Sequence, residues 1–381
     1  MDTLFDYLKW MGDFPIAATG LREADTLVLA LLSYYDYDPL FEKKQQETYR
    51  LRDCLDLPED EIRVTISGKG QDYPGFLKLA AETERFGELR MTHYVDVLLS
   101  EPAVQFSAVS FHDDTDLSFL VYRGTDTSLA GWKEDFMISF TRTRAQTQAL
   151  AYANAYVDPA RRNILIGHSK GGNEALFAAA NLREEKWDAV EHVYILDGPG
   201  FCPEVLDTSG IERVDAKATH IVPTFSIVGK LFAAKITDTR IIEAEGVGFA
   251  QHSLINWQLD HGKLALAQEN DPTSLWVNAT VDGWIDGMDM EARGVLVEDL
   301  FDALAAGGAE KLDELDDAGL AGFEAILRRM KGSSETTRKL LAELPKHAMK
   351  QGLQNIRAKL RLDEDDRRRA EAQTAEGGAL A

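Results

Sequence analysis

Cysteine is scarce in this chain: Cys54 and Cys202 are the only two among 381 residues, and they lie far apart. Neither belongs to a Cys-x-x-Cys pair or to a Cys/His spacing that binds zinc. These absences exclude a disulfide framework and give no indication of a metal site. We therefore expect both cysteines to be small buried apolar residues, and we expect no metal and no organic cofactor.

Long apolar runs are also missing. The longest wholly aliphatic stretch covers residues 27–32, far short of the ~20 residues that a membrane-spanning helix needs. Residues 1–10 contain an early acid and no long apolar run, which argues against a secretory signal. We expect a cytoplasmic protein without integral membrane association.

Basic residues are outnumbered, with 41 Lys and Arg against 64 Asp and Glu, which gives a formal net charge of −23. Such a surface repels phosphate backbones and anionic lipid head groups, so nucleic acid is not an expected partner. Hydrophobic residues make up 45% of the chain, a globular composition. Its length suits one large domain with appendages or two ordinary domains; the oligomeric state is left open.

The pattern of apolar, polar and turn-forming residues changes twice along the sequence. Residues 1–60 predict a helical lead-in, in which Leu27, Leu31 and Tyr34 recur at helical spacing. Residues 61–270 contain short β-rich runs separated by turns and amphipathic segments. Residues 271–381 predict a C-terminal helical appendage that ends in a frayed Gly- and Ala-rich tail.

The central segment predicts an α/β fold with a mostly parallel sheet. Two β-rich runs are joined by residues 112–116, a turn sequence typical of a hairpin. The later runs alternate with helical segments, which indicates parallel strands covered on both faces. Strands are predicted at residues 103–111, 117–122, 163–167, 192–196 and 220–228.

The strongest chemical signal surrounds Ser169. An aliphatic run ends at Gly167, continues as Gly-His-Ser-Lys-Gly-Gly, and leads directly into an Ala-rich helix. In a nucleophile elbow of this kind the serine occupies a strained strand-to-helix turn, and small neighbours are needed for space. The backbone N–H of Lys170 would then bind a developing oxyanion. The sequence here matches neither the phosphate-binding loop motif nor the dinucleotide-binding motif. The remaining alternative is a Gly-rich turn without a catalytic role.

An activated serine needs a histidine base oriented by an acid. The expected base is His252, in a glycine-rich loop ahead of the amphipathic stretch 254–266; the alternatives are His261 as base, or His252 as a polar residue that starts a helix. The expected acid is Asp197, directly after the strand that follows the elbow helix. Alternatively Asp197 begins a turn before Gly-Pro, and Asp238 is the acid.

Residues 120–126 (Leu-Val-Tyr-Arg-Gly-Thr-Asp), followed by Trp132 and Asp135, complete a pattern with the elbow that resembles the class 3 lipases. The resemblance implies that Thr125 supplies a second oxyanion donor, and a residue at the end of an earlier strand is suitably placed to approach the serine from the other side. Trp132 and Asp135 are expected to be structural, and Arg123 to pair with a nearby carboxylate.

A closer resemblance is to the Mbeg1-like bacterial group, a lipase-like family within the α/β-hydrolases. The matching segments are residues 7–13, 31–34, 197–201, 225–229 and 291–293, with Asp25, Gln251-His252 and Trp257. Two departures from class 3 lipases stand out. Lys170 replaces an apolar residue and sets a cation beside the site, and the acid comes one strand earlier than in those enzymes.

The resemblance and the residues together predict an α/β-hydrolase three-layer sandwich. The expected reaction is serine-dependent hydrolysis of a carboxylic ester, from a lipid or a small soluble ester, through an acyl-enzyme. The segment 70–100 or the helices after Pro272 would form a lid or an acyl pocket. The alternatives are a catalytically silent ligand- or partner-binding module, and an acyltransferase or thioesterase on the same three residues.

Overall fold

The computed structural model describes residues 1–271, except 45, 67–70, 101–102, 126–137, 139–141, 203, 207, 227, 231, 233–234 and 247, together with residues 274 and 295. The helices predicted beyond Pro272, as well as Trp132 and Asp135, lie outside the described residues. The proposed division into three parts stays a prediction.

The N-terminal segment is helical, as its apolar spacing predicts. Thr3 caps the first helix, because its side chain accepts a hydrogen bond from the amide of Asp6 while the Asp6 carboxylate accepts one from the Thr3 amide. The helices are α1 (Leu4–Met11), α2 (Ile16–Thr19), α3 (Glu23–Leu32) and α4 (Asp38–Lys44). Residues 24–32 of α3 are all buried, so this helix is part of the protein interior.

An eight-stranded sheet follows, with its strands in chain order. The first four strands pair antiparallel, and the remaining pairings, from β4 to β8, are parallel. The strands are β1 (Thr48–Arg50), β2 (Arg90–Ser100), β3 (Ala103–His112), β4 (Leu117–Tyr122), β5 (Arg162–His168), β6 (Val190–Leu196), β7 (Ala218–Pro223) and β8 (Thr239–Ile242).

Four of the five predicted strands are confirmed, and so is the hairpin between β3 and β4. In that hairpin the Asp113 carboxylate accepts hydrogen bonds from the amides of Thr115 and Leu117, both at 3.0 Å, which holds the tight turn. The prediction of a strand over residues 220–228 is wrong at its end: β7 stops at Pro223, and Val228 begins a short 3₁₀ helix. Proline lacks the amide needed to continue a ladder.

Helices cover both faces of the sheet, and each face has its own hydrophobic cluster. Further helices are α5 (Tyr73–Glu82), α6 (Arg144–Tyr156), α7 (Lys170–Ala180), α8 (Glu184–Trp187) and α9 (Thr208–Asp215). Phe119 and Val121 of β4 pack in one cluster with α1, α3 and α5. Leu120 and Tyr122 pack in the other with α6, α7 and α9. The alternation is what a strand buried on both faces requires.

The stretch 254–266 is not a helix. It consists of a 3₁₀ turn (Leu254–Asn256) and a two-stranded hairpin, β9 (Leu259–Asp260) and β10 (Lys263–Leu264). The hairpin turn places His261 at φ 49° and Gly262 at φ 74°, and helical spacing of apolar residues does not anticipate such a turn. His252 therefore does not start a helix of this stretch.

Cys54 and Cys202 are both buried free thiols, as expected. No helix within the described ranges combines the length and the apolar composition needed to cross a bilayer.

Candidate active site

Ser169 lies between β5 and α7 in a strained backbone conformation, with φ 58° and ψ −127°. A non-glycine residue seldom adopts a positive φ, and where it does so at a strand-to-helix turn the strain commonly marks a functional site. Its neighbours must be small. A Cβ on Gly167 would lie 1.9 Å from the carbonyl oxygen of Gly171, and a Cβ on Gly171 would lie 2.1 Å from that of Tyr122.

Asp197 directly follows β6 and is 1% exposed. Its amide donates to the carbonyl of Ile221 at 2.7 Å, which ties the turn to β7. One carboxylate oxygen, Oδ1, accepts a hydrogen bond from the hydroxyl of Ser226 at 2.5 Å and another from the amide of Gly229 at 3.1 Å. The other oxygen, Oδ2, lies 2.6 Å from Nδ1 of His252.

Two opposing effects act on the pKa of Asp197. Burial opposes ionisation, but the hydrogen bond and charge of His252 and the hydrogen bond from Ser226 outweigh it, so the pKa lies below its usual value. The carboxylate is therefore ionised at neutral pH. An ionised carboxylate at Nδ1 keeps the proton on that nitrogen, which leaves Nε2 of His252 as the lone-pair nitrogen.

His252 ends a short 3₁₀ helix (Gly248–His252), and its side chain is 13% exposed. Gln251, the residue before His252, holds this loop through hydrogen bonds of its backbone and side chain. The Gln251 carbonyl oxygen accepts a hydrogen bond from the indole N–H of Trp257 at 2.8 Å, and its side-chain oxygen accepts from the hydroxyl of Thr224 at 2.8 Å. The loop is thereby held against the carboxyl end of β7.

The end of β4 approaches the serine from the other side. A Cβ on Gly124 would lie 3.0 Å from Cβ of Ser169, and the next residue, Thr125, is buried. Arg123 pairs through both terminal nitrogens with Asp96 of β2, at 2.8 and 2.7 Å, which confirms the expected carboxylate partner. The ion pair holds the end of β4 in place.

Lys170 is the first residue of α7 and directly follows Ser169, so its backbone N–H has no acceptor within the helix. Its side chain is buried and runs toward β3, where the ammonium group donates to the carbonyl oxygen of Gln105 at 3.0 Å and lies 3.3 Å from its side-chain oxygen. Both acceptors are neutral. The cation expected beside the site is thus directed into the sheet.

A family model described as Mbeg1-like matches residues 80–302, which is more than half of the chain and includes Ser169, Asp197 and His252. The chain belongs to the Mbeg1-like family. No curated protein and no solved structure matches it.

Within the Mbeg1-like region, the two alternative residues have other partners. Asp238 precedes β8 and binds Arg240 at 2.9 and 2.7 Å, and it accepts from the hydroxyl of Thr219 at 2.8 Å. The hydrogen bonds from Arg240 lower the pKa of Asp238. His261 is 94% exposed in the β9–β10 turn and lies 2.6 Å from the neighbouring Asp260. The structure brings together Asp197 and His252 rather than these two.

Three residues near His252 were not predicted from the sequence to belong to the site. Ser226 binds Asp197, and His168 packs against His252 with ring centroids 4.6 Å apart and ring planes tilted by 33°. Tyr34, from the loop after α3, lies with its hydroxyl oxygen 2.6 Å from Nδ1 of His168. His168 directly precedes the serine, which is the only local signal for it; Tyr34 is too remote in the chain for any spacing to reveal.

Among the residues that the structure describes, no group of three or more His, Cys, Asp or Glu side chains is placed to hold a metal ion.

Proposed function

We propose that this Mbeg1-like protein is a serine hydrolase of the α/β-hydrolase type that cleaves carboxylic esters. The observation that carries the proposal is the 2.6 Å contact between the buried Asp197 carboxylate and Nδ1 of His252, in an arrangement where Ser169 occupies a strained strand-to-helix turn. An oriented imidazole beside an activated serine is the arrangement that acyl transfer requires.

In the proposed reaction, Nε2 of His252 accepts the hydroxyl proton of Ser169 while Oγ attacks the ester carbonyl carbon. The backbone amides of Thr125 and Lys170 stabilise the oxyanion of the tetrahedral intermediate. The intermediate collapses with loss of the alcohol, which takes the proton from His252. Water, deprotonated by His252, then attacks the acyl-enzyme, and the proton returns from His252 to Oγ of Ser169 as the bond to the acyl group breaks and the acid is released.

The carboxylate of Asp197 stays ionised throughout this cycle. Its lowered pKa supports that role, because a negative charge at Nδ1 stabilises the imidazolium that forms on His252. The net charge of −23 disfavours substrates with anionic groups and favours neutral esters, of lipid or small-molecule origin.

A fluorophosphonate probe tests the nucleophile. Wild-type protein should be labelled at Ser169, identified by peptide mass spectrometry, and Ser169→Ala should not be labelled. Ser118→Ala is a suitable control, because this buried serine lies at the other end of β4 and its hydroxyl has no hydrogen-bond partner among the described residues. Labelling that persists in Ser169→Ala would assign the nucleophile elsewhere, and absence of labelling in the wild type would favour a silent binding module.

A substrate panel then separates the reaction types. Short- and long-chain esters, the corresponding thioesters, and an ester with an added alcohol acceptor should be compared for acid release and for transfer. Ester hydrolysis that exceeds thioester hydrolysis and transfer supports the proposal. The reverse order would make the protein a thioesterase or an acyltransferase.

A further inference from the structure

His168 is held between two groups that its position in the sequence does not connect. Its Nε2 lies 2.9 Å from the backbone carbonyl oxygen of His252, and its Nδ1 lies 2.6 Å from the hydroxyl oxygen of Tyr34. The rings of His168 and Tyr34 meet edge to face with centroids 5.8 Å apart. The contacts that His168 makes with Tyr34 and with the His252 carbonyl lie in the protein interior, since His168 is 5% and Tyr34 1% exposed.

The chemistry of these partners determines where the protons lie. A backbone carbonyl only accepts hydrogen bonds, so Nε2 of His168 must carry the proton that is donated to His252. Nδ1 then has a lone pair, and the hydroxyl of Tyr34 donates to it. The His252 carbonyl thus fixes the tautomer of His168, and the hydrogen bond from Tyr34 to Nδ1 stabilises that tautomer.

We propose that Tyr34 and His168 are positioning residues, which hold the backbone of the catalytic base at a second point besides its contact with Asp197. This inference rests on the proposed function, because it assigns a role relative to His252 as base. The composition of the loop before His252 explains why a second contact is needed. Gly246 and Gly248 both have positive φ, 87° and 67°, so the loop has few intrinsic restraints of its own.

Burial supports the same arrangement. Burial, with the nearby His252 as a second cause, lowers the pKa of His168 to about 3. His168 therefore stays neutral over the working pH range. It keeps its single Nε2 proton for the His252 carbonyl and adds no positive charge beside the imidazolium that forms on His252.

Tyr34 lies outside the region that matches the family model. The Mbeg1-like match begins at residue 80, so Tyr34 belongs to a segment outside it. The segment after α3 thus contributes a side chain to the surroundings of the site, and the matched region alone lacks the group that orients His168.

Tyr34→Phe is the first test, with the rate constant of fluorophosphonate labelling and the probe's inhibition constant measured separately. Loss of one hydrogen bond should lower the rate constant roughly 3- to 10-fold and leave the inhibition constant unchanged. Tyr37→Phe is the matched control. Tyr37 is equally buried, and its hydroxyl donates to the Leu32 carbonyl at 2.8 Å, away from His168, so its labelling rate should equal that of the wild type.

His168→Gln and His168→Asn form the second test. A glutamine amide N–H reaches the position of Nε2–H, whereas the shorter asparagine does not, so glutamine should restore most of the labelling rate that asparagine loses. A purely structural role would not distinguish the two. Histidine ¹⁵N chemical shifts, which need no activity, should show the Nε2-protonated tautomer for His168 in the wild type.

The outcomes separate the two proposals. A wild type that is not labelled overturns the proposed function. A labelled wild type with Tyr34→Phe and His168→Asn equally fast overturns the positioning role and leaves the proposed function standing, and so does an Nδ1-protonated His168. If His168→Asn does not fold, Tyr34→Phe against Tyr37→Phe and the tautomer still decide.

Discussion

The surroundings of Asp197 suit the role proposed for it. Its two oxygens have separate partners: Ser226 and Gly229 bind Oδ1, and His252 contacts Oδ2. The hydrogen bonds from Ser226 and Gly229 fix the orientation of the carboxylate. Oδ2 is therefore held facing the imidazole of His252. A Cβ on Gly229 would lie 2.3 Å from Oδ1, which explains why glycine is required at that approach.

Asp197→Asn should lower the hydrolytic rate by about 10⁴-fold, because an amide in place of the carboxylate favours the wrong tautomer of His252 and leaves its imidazolium without a counter-charge. The measurement is kcat on the best ester of the panel, with circular dichroism to show that the variant is folded.

Asp238→Asn is the control for that variant. It removes a carboxylate that binds Arg240 and Thr219 and does not contact His252, so activity should stay near that of the wild type. A fully active Asp197→Asn together with an inactive Asp238→Asn would transfer the role of the acid to Asp238.

At the scale of elements, a buried ion pair joins the N-terminal helices to α5 and the loop after it. Arg85 donates to both carboxylate oxygens of Asp25 in α3, at 2.6 and 2.5 Å, and both side chains are fully buried. Arg85 also donates to the carbonyl oxygens of Phe14 and Gly20, and the hydroxyl of Tyr7 in α1 donates to Asp25 at 2.7 Å. The cluster therefore fixes the packing of α1 and α3, on which the position of Tyr34 depends.

Arg85→Met should lower the free energy of unfolding by about 3–5 kcal/mol, because it leaves the Asp25 carboxylate buried without its cation. Urea unfolding at neutral pH measures the change. Arg50→Ala, which removes an exposed pair with Glu88, should cost under about 1 kcal/mol. Equal effects of the two variants would contradict a special role for the buried pair.

Elements differ in how far sequence patterns reveal them. The elbow strand, the elbow helix and the β3–β4 hairpin follow from local signals: an aliphatic run, an Ala-rich run and an Asp-rich turn. β1, β2 and β8 were not predicted, and the amphipathic spacing of residues 254–266 did not indicate the β9–β10 hairpin, because those segments acquire their conformation from neighbours. Leu259, for example, pairs with Asp2 at the start of the chain.

At the scale of the whole molecule, the buried His168 and His220 and the half-buried His112 affect stability as pH falls. Burial lowers the pKa of His112 to about 4, that of His168 to about 3 and that of His220 to about 4, from an ordinary 6.5. Between pH 6.5 and these values the unfolded chain binds protons that the folded chain does not. The free energy of unfolding therefore decreases as pH falls through this range.

His112→Gln should reduce this acid sensitivity by up to about 1.4 kcal/mol per pH unit between pH 6.5 and 4.5. Glutamine can keep the contact that Nε2 of His112 makes with the Thr92 hydroxyl at 2.6 Å, so stability at neutral pH should change little. Urea midpoints at pH 7.5, 6.5, 5.5 and 4.5 measure the slope. An unchanged slope in His112→Gln would refute the assignment.

Local sequence was sufficient to predict the strand, turn and helix around Ser169 and to propose Asp197 and His252 as partners, because the signals around each residue are short-range. The distance between those two side chains, the direction of the Lys170 ammonium group and the contact of Tyr34 with His168 depended on the tertiary structure. These contacts join residues 55 to 134 positions apart. No local pattern records them, since packing of whole elements brings such residues together.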